Sequence, residues 1–234
     1  MRLLLISNST NSGEEYLWYP RENIRRFLGT SPVRALFVPY AGVTVTYDEY
    51  EKKVKERFNQ IGHDVVSIHH FDDPKEAVLN AAAIVIGGGN TFRLAELLQK
   101  HGLIEPVRKR VADGMPYIGW SAGANVACPT ICTTNDMPVV QPESFTAFNL
   151  VKFQINPHYL DSNPEGHAGE TREARINEYI ELNREMFVVG LREGTMLLLE
   201  EGMIRLIGPK KMRVFRYGEQ PGELGVEDDP VFLL

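Results

Sequence analysis

Short apolar runs alternate with stretches of helical spacing through the first half of this chain, and that alternation leaves few folds open. The runs are Leu3 to Ser7, Val33 to Val38, Val65 to Ile68, Ala83 to Ile86 and Tyr117 to Trp120. Several end at Gly, Pro or Ser, as buried strands do. Between them Tyr50, Val54, Phe58 and Ile61 share one helix face. Thr46, with Glu49 three positions later, precedes that face in the pattern of a capping box. Leu94, Leu97 and Leu98 mark another helix, and Ile104, Val107 and Val111 a third. Repeated β-α-β units predict an α/β fold with a mostly parallel sheet covered on both faces. Ligands bind such sheets beyond the carboxyl ends of the strands. Ser7-Asn8-Ser9, Pro39 to Gly42, Gly87 to Asn90 and Ser121 are therefore expected on one side of the sheet.

After Cys128 the pattern changes. Pro129 to Leu150 reads as loop, Phe153 to Asn156 as a strand and Thr171 to Leu182 as a helix. Phe187 to Leu191, Leu197 to Glu200 and Met203 to Ile207 follow as strands, with a hairpin turn at Glu201-Gly202. No repeat or linker interrupts the 234 residues, so residues 1–234 are expected to form a single α/β domain with an antiparallel C-terminal edge. A net charge of −6 without a basic cluster argues against nucleic acid or an anionic membrane as partner. No apolar run approaches a membrane span, and Met1 to Ile6 is too short for a signal-peptide core, so a cytoplasmic location is expected. Cys128 and Cys132 alone can build neither a disulfide framework nor a zinc site, and both are expected to pack as small buried apolar groups.

Chemistry concentrates at Gly119-Trp120-Ser121-Ala122-Gly123, where a β run ends in Gly-x-Ser-x-Gly. A serine on a tight strand-to-helix turn projects its hydroxyl out of the sheet, beside free helix N–H groups. An ordinary βα turn could carry the same letters. Gly87-Gly88-Gly89-Asn90-Thr91 also follows a strand and opens a helix, so its bare backbone, with Asn90, can face a ligand. Its N–H groups at Gly88 or Gly89, with that of Ala122, would make an oxyanion hole. A phosphate cradle is the alternative, although neither nucleotide-loop pattern is matched.

A serine nucleophile needs a base and an orienting carboxylate. His63, His69, His70 and His101 sit in polar, surface-like segments, where solvation is the default. His158 follows Gln154-Ile155-Asn156-Pro157 and is placed just past a strand end, which makes it the preferred base. Asp136, in a polar loop between nucleophile and base, is preferred as the carboxylate, with Glu193 as the other candidate. The order Ser, Asp, His is that of the α/β-hydrolases. Yet Asp136 lies only 15 residues after Ser121, and His158 only 22 after that. A single βαβ crossover takes about 30 residues, so the triad must be assembled on another scaffold.

These stretches together resemble the peptidase E family, the α-aspartyl dipeptidases among serine peptidases. The resemblance rests on Leu4 to Thr10, Phe37 to Thr44, Gly87 to Phe92, Gly119 to Asn125 and Cys128 to Pro138. Gln154 to His158 and Pro164 to Glu173 complete it. It implies a flavodoxin-like three-layer sandwich related to class I glutamine amidotransferases, with serine in place of their cysteine. It also implies release of N-terminal aspartate from Asp-Xaa dipeptides through an acyl-enzyme on Ser121, with Asp136 and His158 as the other catalytic residues. No metal or organic cofactor is implied, and the partner is a small peptide substrate. A homodimer is the assembly considered, though no residue pattern specifies it. Gripping an aspartyl carboxylate calls for an arginine, and Arg172 is chosen, with Glu170 for the substrate's α-amino group. The competing readings are a cyanophycinase-like hydrolase of β-linked aspartyl peptides and a non-catalytic flavodoxin-like domain holding phosphate at Gly87 to Asn90.

Overall fold

The computed structural model describes residues 1–163, 165–166 and 168–234. In chain order the strands are β1 (Leu3–Ile6), β2 (Arg34–Val38), β3 (Asp64–Ser67), β4 (Ile84–Ile86), β5 (Tyr117–Trp120) and β6 (Gln154–Tyr159). They continue with β7 (Val188–Arg192), β8 (Met196–Glu200), β9 (Met203–Ile207), β10 (Met212–Phe215) and β11 (Gly222–Leu224). The α-helices are α1 (Arg21–Leu28), α2 (Tyr47–Gln60), α3 (Pro74–Asn80), α4 (Thr91–Lys100), α5 (Ile104–Ala112), α6 (Ala122–Asn125) and α7 (Arg172–Leu182).

The main sheet has seven strands in the order β3-β2-β4-β5-β1-β8-β9. The first five in that order run parallel, and β8 and β9 continue antiparallel from β1. Side chains alternate across the strands. Leu4, Ile6, Phe37 and Val85 face α1 and α2, whereas Leu3, Leu5, Leu36 and Ile86 face α3 to α6. This is the expected three-layer arrangement. Thr46 caps α2 in a complete capping box with Glu49, which fixes where the chain enters that helix. Glu201 and Gly202 both have positive φ, as a tight hairpin requires.

One expectation changes here. The C-terminal strands do not all extend the main sheet: β6, β7, β10 and β11 form a second, four-stranded sheet in the order β11-β10-β7-β6. β6 and β7 pair in parallel, joined through α7, and their inner residues Ile155, Val189 and Leu191 merge with the core on the α6 side. Tyr159, Val188 and Phe215 instead pack against α7. Apolar runs reveal strands but not which strands pair, so β6 and β7 read alike as edge segments.

Candidate active site

β5 delivers Ser121 at the carboxyl edge of the main sheet. Its backbone takes φ 54° and ψ −114°, a region non-glycine residues rarely occupy. The Ser121 N–H donates to the Ile6 carbonyl (3.0 Å), and the Ser121 carbonyl accepts from the N–H groups of Ala124 and Asn125. The flanking glycines are required by contact. A Cβ on Gly123 would lie 2.2 Å from the Ile86 carbonyl oxygen, and one on Gly119 would lie 2.3 Å from that of Gly123.

His158 reaches Ser121 from the second sheet. It sits inside β6 rather than beyond it, at an irregularity in the β6–β7 pairing and with φ 53°. A bulge of this kind re-aims a side chain, and the ring turns toward the main sheet. Nε2 lies 2.9 Å from Ser121 Oγ and Nδ1 2.7 Å from Glu193 Oε1. An ionised carboxylate only accepts, so Nδ1 carries the hydrogen and Nε2 accepts from the serine hydroxyl. The His158 N–H donates to Ser7 Oγ (3.0 Å), which in turn donates to the Leu191 carbonyl (2.7 Å). β1 and β7 are thereby tied to the bulge.

Glu193, not the preferred Asp136, meets the imidazole. It follows β7 between two anchors. Gly194 N–H donates to Asn8 Oδ1 (2.9 Å) on one side. On the other, the Arg192 guanidinium grips the carboxylates of Asp161 and Glu223. Asp136 is engaged elsewhere: its Oδ2 accepts from Thr91 N–H (2.8 Å), Thr91 Oγ1 (2.6 Å) and Thr134 Oγ1 (3.1 Å). It therefore fastens its loop to the start of α4, a site that favours an anion.

The rest of that polar loop is a joint between the two sheets. Asn125 Nδ2 donates to Ile155 O (2.8 Å) and Thr133 Oγ1 (3.1 Å). Asn156 Nδ2 donates to Thr133 O (2.9 Å) and Asn135 Oδ1 (2.7 Å), and Asn135 Nδ2 to Pro157 O (2.6 Å). These buried amides hold the strand carrying His158 against the helix that follows Ser121. The amide nitrogens of Asn125 and Asn156 are paired, while their Oδ1 atoms have no partner among the described residues, so the donors rather than the acceptors fix the arrangement.

Tyr50 aligns the glycine loop. Its hydroxyl donates to the Gly88 carbonyl (2.9 Å), and burial pushes the phenol up to about 12. A trans peptide points its N–H opposite its carbonyl, so the Gly89 N–H faces away from Tyr50. Among the described residues, the N–H groups of Gly88, Gly89 and Ala122 donate to no protein acceptor. Gly89 has φ 134°, and a Cβ there would strike the Ala41 carbonyl oxygen at 2.2 Å. A cleft of about 390 Å³ opens between these groups and includes Tyr16, Thr44, Lys53, Gly89, Ser121 and His158. Segments from all four predicted loop edges, with Ser9, Ala41, Gly88 and Ser121 among them, line it.

The profile of peptidase family S51 matches residues 3–207. The chain belongs to peptidase family S51. It is 51% identical over 233 residues to peptidase E of Nostoc sp. strain PCC 7120, covering 100% of this chain and 96% of that protein. It is 47% identical over 220 residues to peptidase E of Salmonella typhimurium strain LT2, covering 94% of this chain and 96% of the relative. A solved structure described as a candidate peptidase E from Listeria monocytogenes EGD-e superposes with TM-score 0.65 at 21% identity, covering 89% of this chain and 98% of that one. A peptidase from an acI-B1 actinobacterium superposes with TM-score 0.69 at 16% identity, covering 97% and 95%. At those identities the two structures speak for the fold alone.

Other expected residues of this S51 peptidase fall less centrally. Asn90 lines the cleft, but its side chain caps α4 through Arg93 N–H (3.0 Å) and donates to Met137 O (2.8 Å), so it shapes the wall. Arg172 is the first residue of α7 and half-buried. Desolvation lowers its pKa most, Arg175 lowers it further, and Asp136 opposes both. Its guanidinium has no hydrogen-bond or ion-pair partner among the described residues. Glu170 is exposed and pairs with Arg175 at 3.8 Å, away from the cleft. His167 lies outside the described residues. Cys128 is buried and its thiol is pushed up by desolvation, as expected of a packing residue, whereas Cys132 is exposed, against expectation. Sequence reasoning missed Lys53 and Tyr16 as cleft residues. Lys53 follows Tyr50 by three positions on α2, and that spacing was the available signal.

No helix among the described residues is long and apolar enough to cross a membrane.

Proposed function

We propose that this S51 peptidase is a serine dipeptidase that removes N-terminal aspartate from Asp-Xaa dipeptides in the cytoplasm. The observation that carries the mechanism is the continuous hydrogen-bonded chain Ser121–His158–Glu193, with links of 2.9 and 2.7 Å. Ser121 Oγ attacks the aspartyl carbonyl carbon while its proton passes to His158 Nε2, and Glu193 stabilises the imidazolium. The N–H groups of Gly89 and Ala122 receive the oxyanion, each worth about 3 kcal/mol. Collapse of the tetrahedral adduct expels the amine, which takes the proton from His158. Water, deprotonated by the same imidazole, then attacks the ester and frees aspartate and Ser121.

Specificity needs cations for two carboxylates. Half-buried Arg172, without a partner among the described residues, suits the aspartyl side chain through a bidentate grip. Lys53, in the cleft wall with its ammonium 4.1 Å from the Tyr16 ring centroid, suits the dipeptide's terminal carboxylate. Lys53→Met is expected to raise KM for Asp-Leu about tenfold or more while leaving KM for an uncharged Asp-anilide nearly unchanged. Equal effects on both substrates refute the assignment.

Aspartate release from Asp-Leu, β-Asp-Leu and Leu-Leu, by the wild type and Ser121→Ala in parallel, tests the whole reading. Serine-dependent cleavage of Asp-Leu alone supports it. Cleavage of β-Asp-Leu alone keeps the nucleophile and moves the specificity to β-linked peptides. Undiminished turnover by Ser121→Ala refutes the mechanism.

A further inference from the structure

Outside the cleft, four side chains capable of binding metal converge where the first two turns of α2 meet the 3₁₀ turn Ile68–His70 that follows β3. They are Asp48, Glu51, His69 and His70, with one ligand atom from each lying within 4.8 Å of all the others. The geometry points to a divalent transition-metal site of the zinc class, held by the Nε2 atoms of both histidines and by the two carboxylates.

The distances suit a shared ion. His69 Nε2 lies 3.0 Å from Asp48 Oδ1, His70 Nε2 lies 2.6 Å from Glu51 Oε2 and 3.9 Å from Asp48 Oδ1. Ligands of a tetrahedral ion with bonds of about 2.0–2.1 Å stand roughly 3.3 Å apart, so small rotations bring this set into register. Supporting contacts are already in place. His69 Nδ1 lies 2.6 Å from buried Ser67 Oγ, and Glu51 Oε1 accepts from Ser67 N–H at 2.8 Å. Without an ion, one tautomer of His69 lets Nε2–H donate to Asp48 Oδ1. In the other, Ser67 Oγ can accept the Nδ1 hydrogen, which frees the Nε2 lone pair for a metal. Metal-bound histidines are oriented through the other ring nitrogen in this way. The two imidazole rings stand 4.0 Å apart at 40°, so both nitrogens can converge on one point. Two carboxylates and two neutral imidazoles balance a divalent charge. Nitrogen ligands favour Zn²⁺, Co²⁺ or Ni²⁺ over Mg²⁺ and Ca²⁺. Asp48 and His70 are exposed, which leaves a path of entry. An ion here would clamp the start of α2, which carries Tyr50, to the end of β3.

The test is calorimetric titration of tag-free, chelator-treated full-length protein with ZnCl₂, and titration with CoCl₂ followed by visible absorption. One equivalent of Zn²⁺ is expected, together with a Co²⁺ absorption band that Zn²⁺ abolishes and MgCl₂ does not. His70→Ala and Glu51→Gln should each weaken binding about tenfold or more, and His69→Ala/His70→Ala should remove it. No Zn²⁺ binding by the wild type overturns the proposal, as does undiminished affinity in the double variant, which would place the ion elsewhere, at Cys132 for instance. Circular dichroism of each metal-free variant checks folding. If the double variant does not fold, His70→Gln, altered at an exposed position, decides: full affinity in it overturns the site.

Discussion

Ser121 is held where a side chain is strained, with φ 54° and ψ −114°, and the strain aims its hydroxyl at His158. Glycine occupies this region without penalty. Ser121→Gly is therefore expected to be more stable than Ser121→Ala by about 1 kcal/mol in urea unfolding, with both inactive. The two carboxylates separate in the same spirit. Glu193→Gln should lower kcat on the order of 10³-fold, since it loses the charge that stabilises the imidazolium. Asp136→Asn should keep kcat within about tenfold and instead cost about 1 kcal/mol of stability, as the loss of a cap at α4 does. Equal losses of kcat in both would contradict this division of roles. Ser121 and His158 were legible in the sequence because a strand end and a proline marked them locally. Glu193 was named only as the second carboxylate candidate, because its proximity to His158 comes from parallel pairing of β6 with β7, where Tyr159 stands opposite Arg192. Nothing in the letters announces that pairing, and Asp136 lay nearer in the chain among polar neighbours.

Elements with a strong period were read to within a few residues: β1 to β5, α2 with its capping box, and α7, whose expected first residue Thr171 proves to be its N-cap. The four-residue α6 depends on contact more than on propensity. Its Gly123 touches the β4 backbone, so Gly123→Ala is expected to cost about 2–3 kcal/mol, as overpacking does, and to lower the melting temperature. A melting temperature unchanged from wild type would show that α6 can move off β4. β10 and β11 escaped the sequence reading because they are short, and their exposed faces carry Arg213 and Glu223 rather than apolar residues. Of the second sheet's four strands, β6 and β7 were visible one by one, but their pairing with each other and with β10 was not.

Across the whole molecule, Arg192 is the charged tie of the second sheet, joining β7 to β11 through Glu223 and to the segment after β6 through Asp161. Hydrogen bonds from Arg192 are the largest influence lowering both carboxyl pKa values, against the opposing effect of burial. Depressed carboxylates stabilise the fold fully above their unfolded values of about 3.9 and 4.3, and that share is lost as pH falls through the folded values. Asp161→Asn/Glu223→Gln should thus be less stable than wild type at neutral pH, by no more than about 1 kcal/mol per site given their exposure. The gap should close as pH falls below 4. A gap that stays constant down to pH 3 in urea unfolding would sink this account. The two-sheet architecture has a further result for how the molecule comes to life. The serine turn is completed by the first 125 residues, whereas its base and carboxylate are threaded later, on a different sheet. A chain made only as far as Asn125 therefore contains every residue of the serine turn and neither hydrogen-bond partner of its hydroxyl relay, so the proposed triad can be assembled only after β6 and β7 have been synthesised.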